Sequence, residues 1–262
     1  REAVAAAPSA PILRAEGVSC SFGGVQALQG IDLEVRPGEV LGVIGPNGAG
    51  KSTLFNVLSG VAHADAGRIE IDGSEVGRER PSDTHRRGLA RTFQNIRVMP
   101  QMTVAENLLV GAHDRVRANP LAVVTRSRRV REAEGRAHRK AREALAFVGV
   151  EGKADVEVTA LSYGDKRRAE IARALMGDPK IVLLDEPAAG MNPSETAELG
   201  RLVSDMRDRG LAVVLIEHDM SMLMSVSDRV LVLNHGVKIA DGTPAEIQRH
   251  PEVLAAYLGD EA

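Results

Sequence analysis

The sequence predicts an α/β fold in which helices cover a mostly parallel sheet. After residue 177, short apolar runs such as 181–184 and 211–216 alternate with helical patterns, as they do in chains that build parallel sheets. A glycine-rich loop at 45–53 lies between an apolar run and a helical pattern, which is typical of a phosphate-binding core. Residues 103–148 form a basic, helix-favouring stretch between these two parts, so we expect a helical insertion.

The composition is ordinary for a globular protein. The chain has 262 residues, of which 44% are apolar and 26% charged, enough for one large domain with a real core. Its net charge of −3 gives no reason to expect a nucleic-acid partner. Cys20 is the single cysteine, which excludes an internal disulfide and indicates a reducing compartment. In a predicted strand it is more often core filler than a nucleophile.

The sequence has no pattern typical of a membrane-spanning protein. No segment approaches the run of about 18 apolar residues that a membrane span needs. The Ala-rich residues 1–10 lack the basic start and long apolar centre of a signal peptide, so we expect a disordered tail before a single domain at 11–262. Any connection to a membrane is then expected through a partner.

The loop from Gly45 to Thr53 fits the pattern of a phosphate-binding loop. Gly48 and Gly50 allow backbone conformations in which successive N–H groups turn towards a phosphate. Lys51 supplies a positive charge for the β- and γ-phosphates, and the Ser52 hydroxyl is placed to ligate Mg²⁺. A plain glycine-rich turn is the alternative, and the flanking strand and helix disfavour it. The residues expected to contact a nucleoside triphosphate here are Asn47, Gly48, Ala49, Gly50, Lys51, Ser52 and Thr53.

Alternating patterns near the start predict an antiparallel β subdomain. Residues 12–22 and 28–35 alternate apolar and polar side chains, as half-buried antiparallel strands do. Residues 67–73 read as a further short strand that ends in a turn. In the insertion, Thr103 is expected to cap a helix over 104–112.

The insertion carries a dense run of basic side chains. A solvated helix face is the plain interpretation; a surface near anionic lipid or an acidic partner is the alternative. Direct nucleic-acid binding is disfavoured because the interleaved aromatic side chains of a stacking platform are missing. The residues are Arg115, Arg117, Arg126, Arg128, Arg129, Arg131, Arg136, Arg139, Lys140 and Arg142.

Two carboxylates follow the apolar run at 181–184. Ligands of such sheets bind beyond the carboxyl ends of the strands, so both acids are expected beside the phosphates. Asp185 suits a role in holding Mg²⁺, and Glu186 suits a role as the general base that polarises the attacking water. Simple helix capping is the alternative for both residues.

The segment 161–165, Leu-Ser-Tyr-Gly-Asp, and the helical pattern after it resemble the signature motif of ABC-type ATPases. The family form is Leu-Ser-Gly-Gly-Gln, so the chain departs from it at Tyr163 and Asp165. The resemblance implies that Ser162 and Gly164 contact the γ-phosphate bound by an opposite subunit. A serine that opens a helix places its hydroxyl and the first N–H groups towards an anion.

The resemblance also implies a fold and a set of roles. The fold is a P-loop NTPase core of the ABC type at 11–93 and 178–262, with the antiparallel β subdomain and an α-helical subdomain inserted at about 94–177. Gln94 matches the glutamine that joins core and insertion and senses Mg²⁺ and the water. His218 matches the switch histidine that contacts the γ-phosphate; its imidazole would stabilise charge on the transferred group.

Two further positions match the family with departures. Phe22 matches the aromatic residue that stacks on adenine, more often Tyr, and Val25 packs beside it; a core Phe is the competing interpretation. Asn192 ends the loop that meets the other subunit, where the family commonly has Asp.

Three stretches are similar to the ATPases of branched-chain amino-acid importers, the LivG type: 186–193, 216–220 and 256–259. An ATPase for lipid or lipopolysaccharide export shares much of the pattern, but 216–219 and the long insertion argue against it. A soluble ABC protein of DNA repair or translation would carry a very long coiled coil or a second core. A switch without hydrolysis is disfavoured because Glu186, Gln94 and His218 are all present.

The resemblance implies partners and a location. The signature motif has a function only opposite another subunit's phosphate loop, so we expect a head-to-tail homo- or heterodimer with ATP and Mg²⁺ at the interface. Integral membrane permeases are expected in a groove near 93–108, with a substrate-binding protein as an indirect partner. The expected location is peripheral, on the cytoplasmic face of the inner membrane.

Overall fold

The computed structural model describes residues 9–77, 80–94, 96–111 and 128–258. The strands of this part of the chain are β1 Leu13–Phe22, β2 Val25–Val35, β3 Val40–Ile44, β4 Ala66–Ile71, β5 Ser74–Glu75, β6 Leu89–Arg91, β7 Ile181–Asp185, β8 Ala212–Ile216, β9 Arg229–Asn234 and β10 Val237–Gly242. They form a four-stranded antiparallel sheet in the order β2-β1-β4-β5 and a six-stranded sheet in the order β10-β9-β3-β8-β7-β6. In the larger sheet β10 alone is antiparallel to its neighbour, which matches the predicted mostly parallel sheet.

The helices of the described residues are α1 Lys51–Leu58, α2 Pro81–Arg86, α3 Val104–Gly111, α4 Arg128–Phe147, α5 Tyr163–Leu175, α6 Pro193–Asp208, α7 Met220–Val226, α8 Pro244–Ile247 and α9 Pro251–Leu258. Thr103 caps α3 as expected, since its Oγ1 accepts a hydrogen bond from the Glu106 N–H at 3.2 Å. Asn192 caps α6 in the same way through the Glu195 N–H at 3.0 Å. No helix among these is long and apolar enough to cross a bilayer.

The central strands hold the core together. Every residue of β3, β7 and β8 is buried, as expected for parallel strands covered on both faces. A Cβ on Gly42 of β3 would lie 2.7 Å from Ser227 Oγ and 2.8 Å from Leu223 Cδ2, so glycine lets the region of α7 pack directly on the sheet. One buried cluster lies on the side of α6 and α7, and a second fills the space between the two sheets and α1.

The helices α3, α4 and α5 follow β6 and precede β7, where the helical insertion was expected. They pack on one another through buried apolar side chains, among them Leu108, Leu145 and Ile171. The boundaries at 93/94 and 177/178 stay a prediction. The tail at 1–8, Arg115, Arg117, Arg126 and Gly259 lie outside the described residues.

The outward face of α4 carries much of the basic run. Arg131, Arg136, Arg139 and Arg142 are exposed. Lys140 forms an ion pair with Asp178. This arrangement matches the expected solvated face, and contact with lipid or an acidic partner stays a hypothesis.

Candidate active site

The glycine-rich loop joins β3 to α1, and its shape depends on close backbone approaches. Gly45 has φ +154° and Gly50 φ +103°. A Cβ on Gly45 would lie 2.1 Å from the Leu233 carbonyl oxygen, and one on Gly50 would lie 2.6 Å from that of Ala27. Any side chain at either position would therefore force neighbouring main chain to move.

Lys51, the first residue of α1, is only 7% exposed. Its Nζ donates hydrogen bonds to the carbonyl oxygens of Gly45 at 2.7 Å and Pro46 at 2.9 Å. Burial lowers the pKa of Lys51, and the nearby carboxylates of Glu186 and Asp185 oppose that shift. The ammonium is thus held over the loop, on the side where both carboxylates lie.

The rest of the loop divides into an exposed rim and a buried base. Asn47, Gly48 and Ser52 are exposed, whereas Ala49 is buried and Thr53 is half-buried. Asn47, Gly48 and Ser52 can therefore be reached from solvent at the N-terminus of α1, where N–H groups and the helix dipole favour an anion.

Asp185 ends β7 in a buried ion pair that the sequence did not reveal. Arg91 Nη2 donates to Asp185 Oδ2 at 2.8 Å, and the two side chains are 8% and 7% exposed. Arg91 Nη1 also donates to Asn56 Oδ1 at 2.8 Å, which ties the end of β7 to α1. The available signal was a charged residue within the short apolar strand β6.

Glu186 lies at the centre of the three side chains expected to act in catalysis. Gln94 Nε2 donates to Glu186 Oε2 at 2.9 Å. His218 Nε2 lies 2.9 Å from Glu186 Oε1. Glu186 has φ +46°, an uncommon backbone conformation that is retained here at the edge of the sheet. We call these residues the Glu186 cluster: Gln94, Glu186 and His218.

Glu217 is a second carboxylate that sequence reasoning missed, although it directly precedes His218. It is 4% exposed. Its carboxylate accepts hydrogen bonds from the N–H of Ala188 at 2.6 Å and of His218 at 3.2 Å. Burial raises the pKa of Glu217 above its ordinary value, and these hydrogen bonds only partly offset that shift. Glu217 therefore ties the loop after Glu186 to the histidine.

Ser162 and Gly164 lie at the start of α5, away from the contacts of the phosphate loop. Ser162 is exposed, and Gly164 is buried so close to α6 that a Cβ would lie 2.6 Å from Glu195 Oε1. The ring of Tyr163 packs on Gly190, with Cε1 3.4 Å from where a Cβ of Gly190 would be. The signature segment is thus supported by the loop before α6.

The unusual Asp165 is buried and ion-paired. It contacts Lys153, and Arg168 Nη2 lies 3.0 Å from its Oδ1. The N–H of Asp165 donates to Ser162 Oγ at 3.1 Å, so Ser162 caps α5. Burial alone would raise the pKa of Asp165, but the hydrogen bonds and the two cations lower it. Asp165 is therefore an anion that anchors the signature segment.

Phe22 and Val25 face each other across the hairpin that joins β1 to β2. They are 51% and 70% exposed, which excludes the interpretation of Phe22 as a core residue. Their contact with adenine stays a prediction.

The model of one known protein family matches most of this chain. The profile described as ABC transporter matches residues 28–189, more than half of the sequence. The chain belongs to the ABC transporter family. This confirms the resemblance found in the signature segment, and with it the expected α/β fold class. As an ABC ATPase, the protein binds and hydrolyses nucleotide.

Relatives and solved structures agree with this assignment. The ABC protein of Pseudomonas aeruginosa named high-affinity branched-chain amino acid transport ATP-binding protein BraF is 43% identical over 253 residues, covering 96% of this chain and 99% of that one. LivG of Escherichia coli, with the same description, is 40% identical with the same coverage. The ADP conformation of MJ1267, an ATP-binding cassette of an ABC transporter, superposes with a TM-score of 0.83 at 31% identity, covering 96% of this chain and all of the other. A profile of branched-chain amino acid ATP-binding cassette transporters matches residues 237–262.

Proposed function

We propose that this ABC ATPase powers a membrane importer of branched-chain or related amino acids. The hydrolysis half of the proposal rests on the contact of Glu186 with both Gln94 and His218 beside the phosphate loop. The cargo half rests on the two relatives at 43% and 40% identity, whose names carry branched-chain amino acid transport, and on the matching profile at 237–262.

The site residues fit an ATP molecule with its magnesium ion. Oxygen atoms are the ligands that Mg²⁺ prefers, and the site offers the exposed hydroxyl of Ser52, the carboxylate of Asp185 and the side-chain carbonyl of Gln94. Arg91 bonds one carboxylate oxygen of Asp185, Oδ2. The second carboxylate oxygen can therefore hold the ion through a water molecule. When bound, Mg²⁺ neutralises charge on the β- and γ-phosphates.

The chain binds the triphosphate through its backbone. The N–H groups from Asn47 to Thr53 surround the phosphates, and Lys51 contributes its ammonium. Phe22 and Val25 present an exposed apolar surface for adenine.

Glu186 is the general base in this proposal. Its carboxylate accepts a proton from the attacking water as the oxygen of that water bonds to the γ-phosphorus. The bond between the γ-phosphorus and the bridging oxygen of the β-phosphate breaks in the same step, so ADP leaves and inorganic phosphate is formed. Gln94 and His218 each bond one oxygen of the carboxylate and so fix its orientation. His218 also stabilises negative charge on the transferred group.

A second ABC subunit completes each site. Ser162 is exposed at the N-terminus of α5, where it can contact the γ-phosphate held by a head-to-tail partner. Membrane permeases dock on the groove near 93–108. The protein therefore lies at the periphery of the inner membrane, on its cytoplasmic face. A substrate-binding protein on the opposite side of the membrane is an indirect partner. ATP favours the closed pair and hydrolysis reopens it.

Uptake assays test the cargo. In the host cell, we expect replacement by Glu186→Gln to abolish uptake of radiolabelled leucine, isoleucine and valine while uptake of an unrelated sugar is unchanged. Normal uptake of all three amino acids would contradict the proposal, and an accompanying defect in lipopolysaccharide placement would favour a lipid exporter.

A further inference from the structure

Arg167 of α5 is the largest fully buried side chain of the described residues, with 0% exposure. A guanidinium is costly to bury unless its charge and its donors have partners. The hydrogen-bond partners of Arg167 therefore indicate which part of the protein the buried guanidinium holds in place.

Two of those partners are main-chain carbonyls of the segment after β6, which carries Gln94 of the Glu186 cluster, and the third is a carboxylate of α5 itself. Arg167 Nη1 donates to the Phe93 carbonyl oxygen at 2.7 Å, and Nη2 donates to that of Gln94 at 2.8 Å. Nη1 also donates to Glu170 Oε2 at 2.8 Å. The other oxygen of Glu170 accepts the Arg97 N–H at 3.3 Å. One side of α5 thus bonds the main chain of three residues, 93, 94 and 97.

Arg167 bonds the main-chain carbonyl of Gln94, and the side chain of Gln94 orients the general base Glu186. Gln94 Nε2 donates to Glu186 Oε2 at 2.9 Å. Helix α5 begins at the cap Ser162, five residues before Arg167. A rigid helical turn therefore connects the signature serine to the backbone of Gln94.

We infer that Arg167 is a positioning residue that couples the placement of α5, and so of Ser162, to the placement of Gln94 against Glu186. The inference rests on the proposed roles of Gln94 and Ser162. A partner subunit that seats Ser162 on its γ-phosphate would then also set the geometry of hydrolysis in the subunit that supplies Ser162.

Arginine suits this task and lysine does not. The planar guanidinium presents donors on separate nitrogen atoms and so spans two carbonyls and a carboxylate. Lysine keeps a charge beside Glu170, but its three donors share one nitrogen atom on a differently shaped side chain, so they cannot occupy the two separate positions from which Nη1 and Nη2 bond these acceptors. Arg167→Lys is therefore a mild substitution. It loosens the hold on Gln94 but keeps a cation near Glu170.

The first measurement is the turnover of Arg167→Lys in the full chain. We expect its kcat for MgATP to fall at least ~10-fold, since small misplacements in a catalytic site have large effects. Its affinity for a fluorescent ATP analogue, measured without Mg²⁺, should change by less than ~2-fold, because Gln94 is proposed to contact the ion and the attacking water and not the nucleotide itself. An unchanged kcat, or an equal loss of affinity, would overturn the inference.

Arg229→Lys is the matched control. Arg229 Nε donates to Glu39 Oε1 at 3.0 Å, and Nη2 donates to the carbonyl oxygen of Glu34 in β2. It too joins a carboxylate to the main chain, but at β2 and the residue before β3. We expect this variant to lose thermal stability while keeping its kcat. A similar fall of kcat in both variants would overturn the inference in favour of general destabilisation.

A double-mutant cycle with Gln94→Ala gives the decisive comparison. If Arg167 acts through Gln94, Arg167→Lys should change kcat by less than ~2-fold in the Gln94→Ala background. If Gln94→Ala is itself slow and Arg167→Lys still lowers kcat by the full factor in that background, the inference is overturned, while the proposed role of Gln94 stands. A Gln94→Ala variant with normal kcat would instead refute the proposed role of Gln94, and the inference with it.

Discussion

Arg91 and Asp185 form an ion pair inside the protein, with Nη2 2.8 Å from Oδ2 and side chains that are 8% and 7% exposed. The pair joins β6 to the end of β7, and the Arg91 bond to Asn56 extends it to α1. The carboxylate proposed to serve magnesium is thereby fixed relative to the phosphate loop before any nucleotide binds.

Arg91→Ala should destabilise the protein by ~3 kcal/mol or more, because removal of one partner leaves a buried charge unpaired. The measurement is urea unfolding followed by circular dichroism. Arg14→Ala is the control, since Arg14 pairs with Glu34 at 2.8 Å at the surface, with side chains 38% and 34% exposed. We expect a much smaller loss for that pair, because water and salt screen an exposed ion pair. Equal losses for the two variants would contradict the importance of burial at Arg91.

Glu186→Gln should bind MgATP and hydrolyse it at least ~100-fold more slowly, the usual size of a general-base effect. Phosphate release measures the rate, and sedimentation with and without MgATP tests for a trapped closed pair. Turnover near the wild-type rate would refute Glu186 as the base. A variant that binds ATP but stays monomeric would indicate that the partner is a different ATPase subunit, or that permeases are needed to bring the two halves together.

Lys51→Ala should weaken nucleotide binding itself, because the ammonium held over the loop is lost. Titration with a fluorescent ATP analogue measures the affinity. Lys180→Ala is a suitable control, since Lys180 pairs with Asp72 on the surface. An affinity equal to that of the wild type in Lys51→Ala would count against the phosphate-loop assignment.

Glu217→Gln should change how stability depends on pH. Burial raises the pKa of Glu217 above its ordinary 4.5, so the folded protein keeps this proton where the unfolded chain has lost it. The free energy of unfolding therefore falls as pH rises from 4.5 through the raised pKa. The amide removes this titration while its oxygen can still accept the N–H bonds.

We expect Glu217→Gln to raise the melting temperature at pH 8 relative to the wild type and the gain to shrink towards pH 4.5. Differential scanning calorimetry across this range measures it. Glu252→Gln, on the exposed side of α9, is the control for the substitution itself. A gain for Glu217→Gln that is the same at every pH would contradict a titrating Glu217.

Much of the site could be predicted because its parts are local in sequence. The phosphate loop needs glycine at fixed spacing, and Asp185 and Glu186 follow an unbroken apolar strand. Strand order then explains why distant residues meet. In the parallel pair β7–β8, Asp185 lies opposite Ile216, so Glu186 and His218 emerge at the same edge of the sheet. The pair β6–β7 brings Gln94 to that edge in the same way.

The buried polar contacts could not be predicted in this way. Arg91, Arg167 and Glu217 are charged residues inside patterns that also suit an exposed helix face or a strand end. Their roles depend on which carboxylate, carbonyl or N–H group a neighbouring element places within 3 Å of them. That depends on packing between segments far apart in the chain.

The sequence by itself determined the phosphate-binding residues and the alternation of strands and helices in the core, because backbone propensities and motif spacing act over a few neighbouring residues. Only the tertiary structure decided that Glu186 is held by Gln94 and His218, and that α5 reaches Gln94 through Arg167. Hydrogen bonds of this kind depend on the exact positions of their atoms and on burial. These positions and this burial exist only once the two buried clusters are packed.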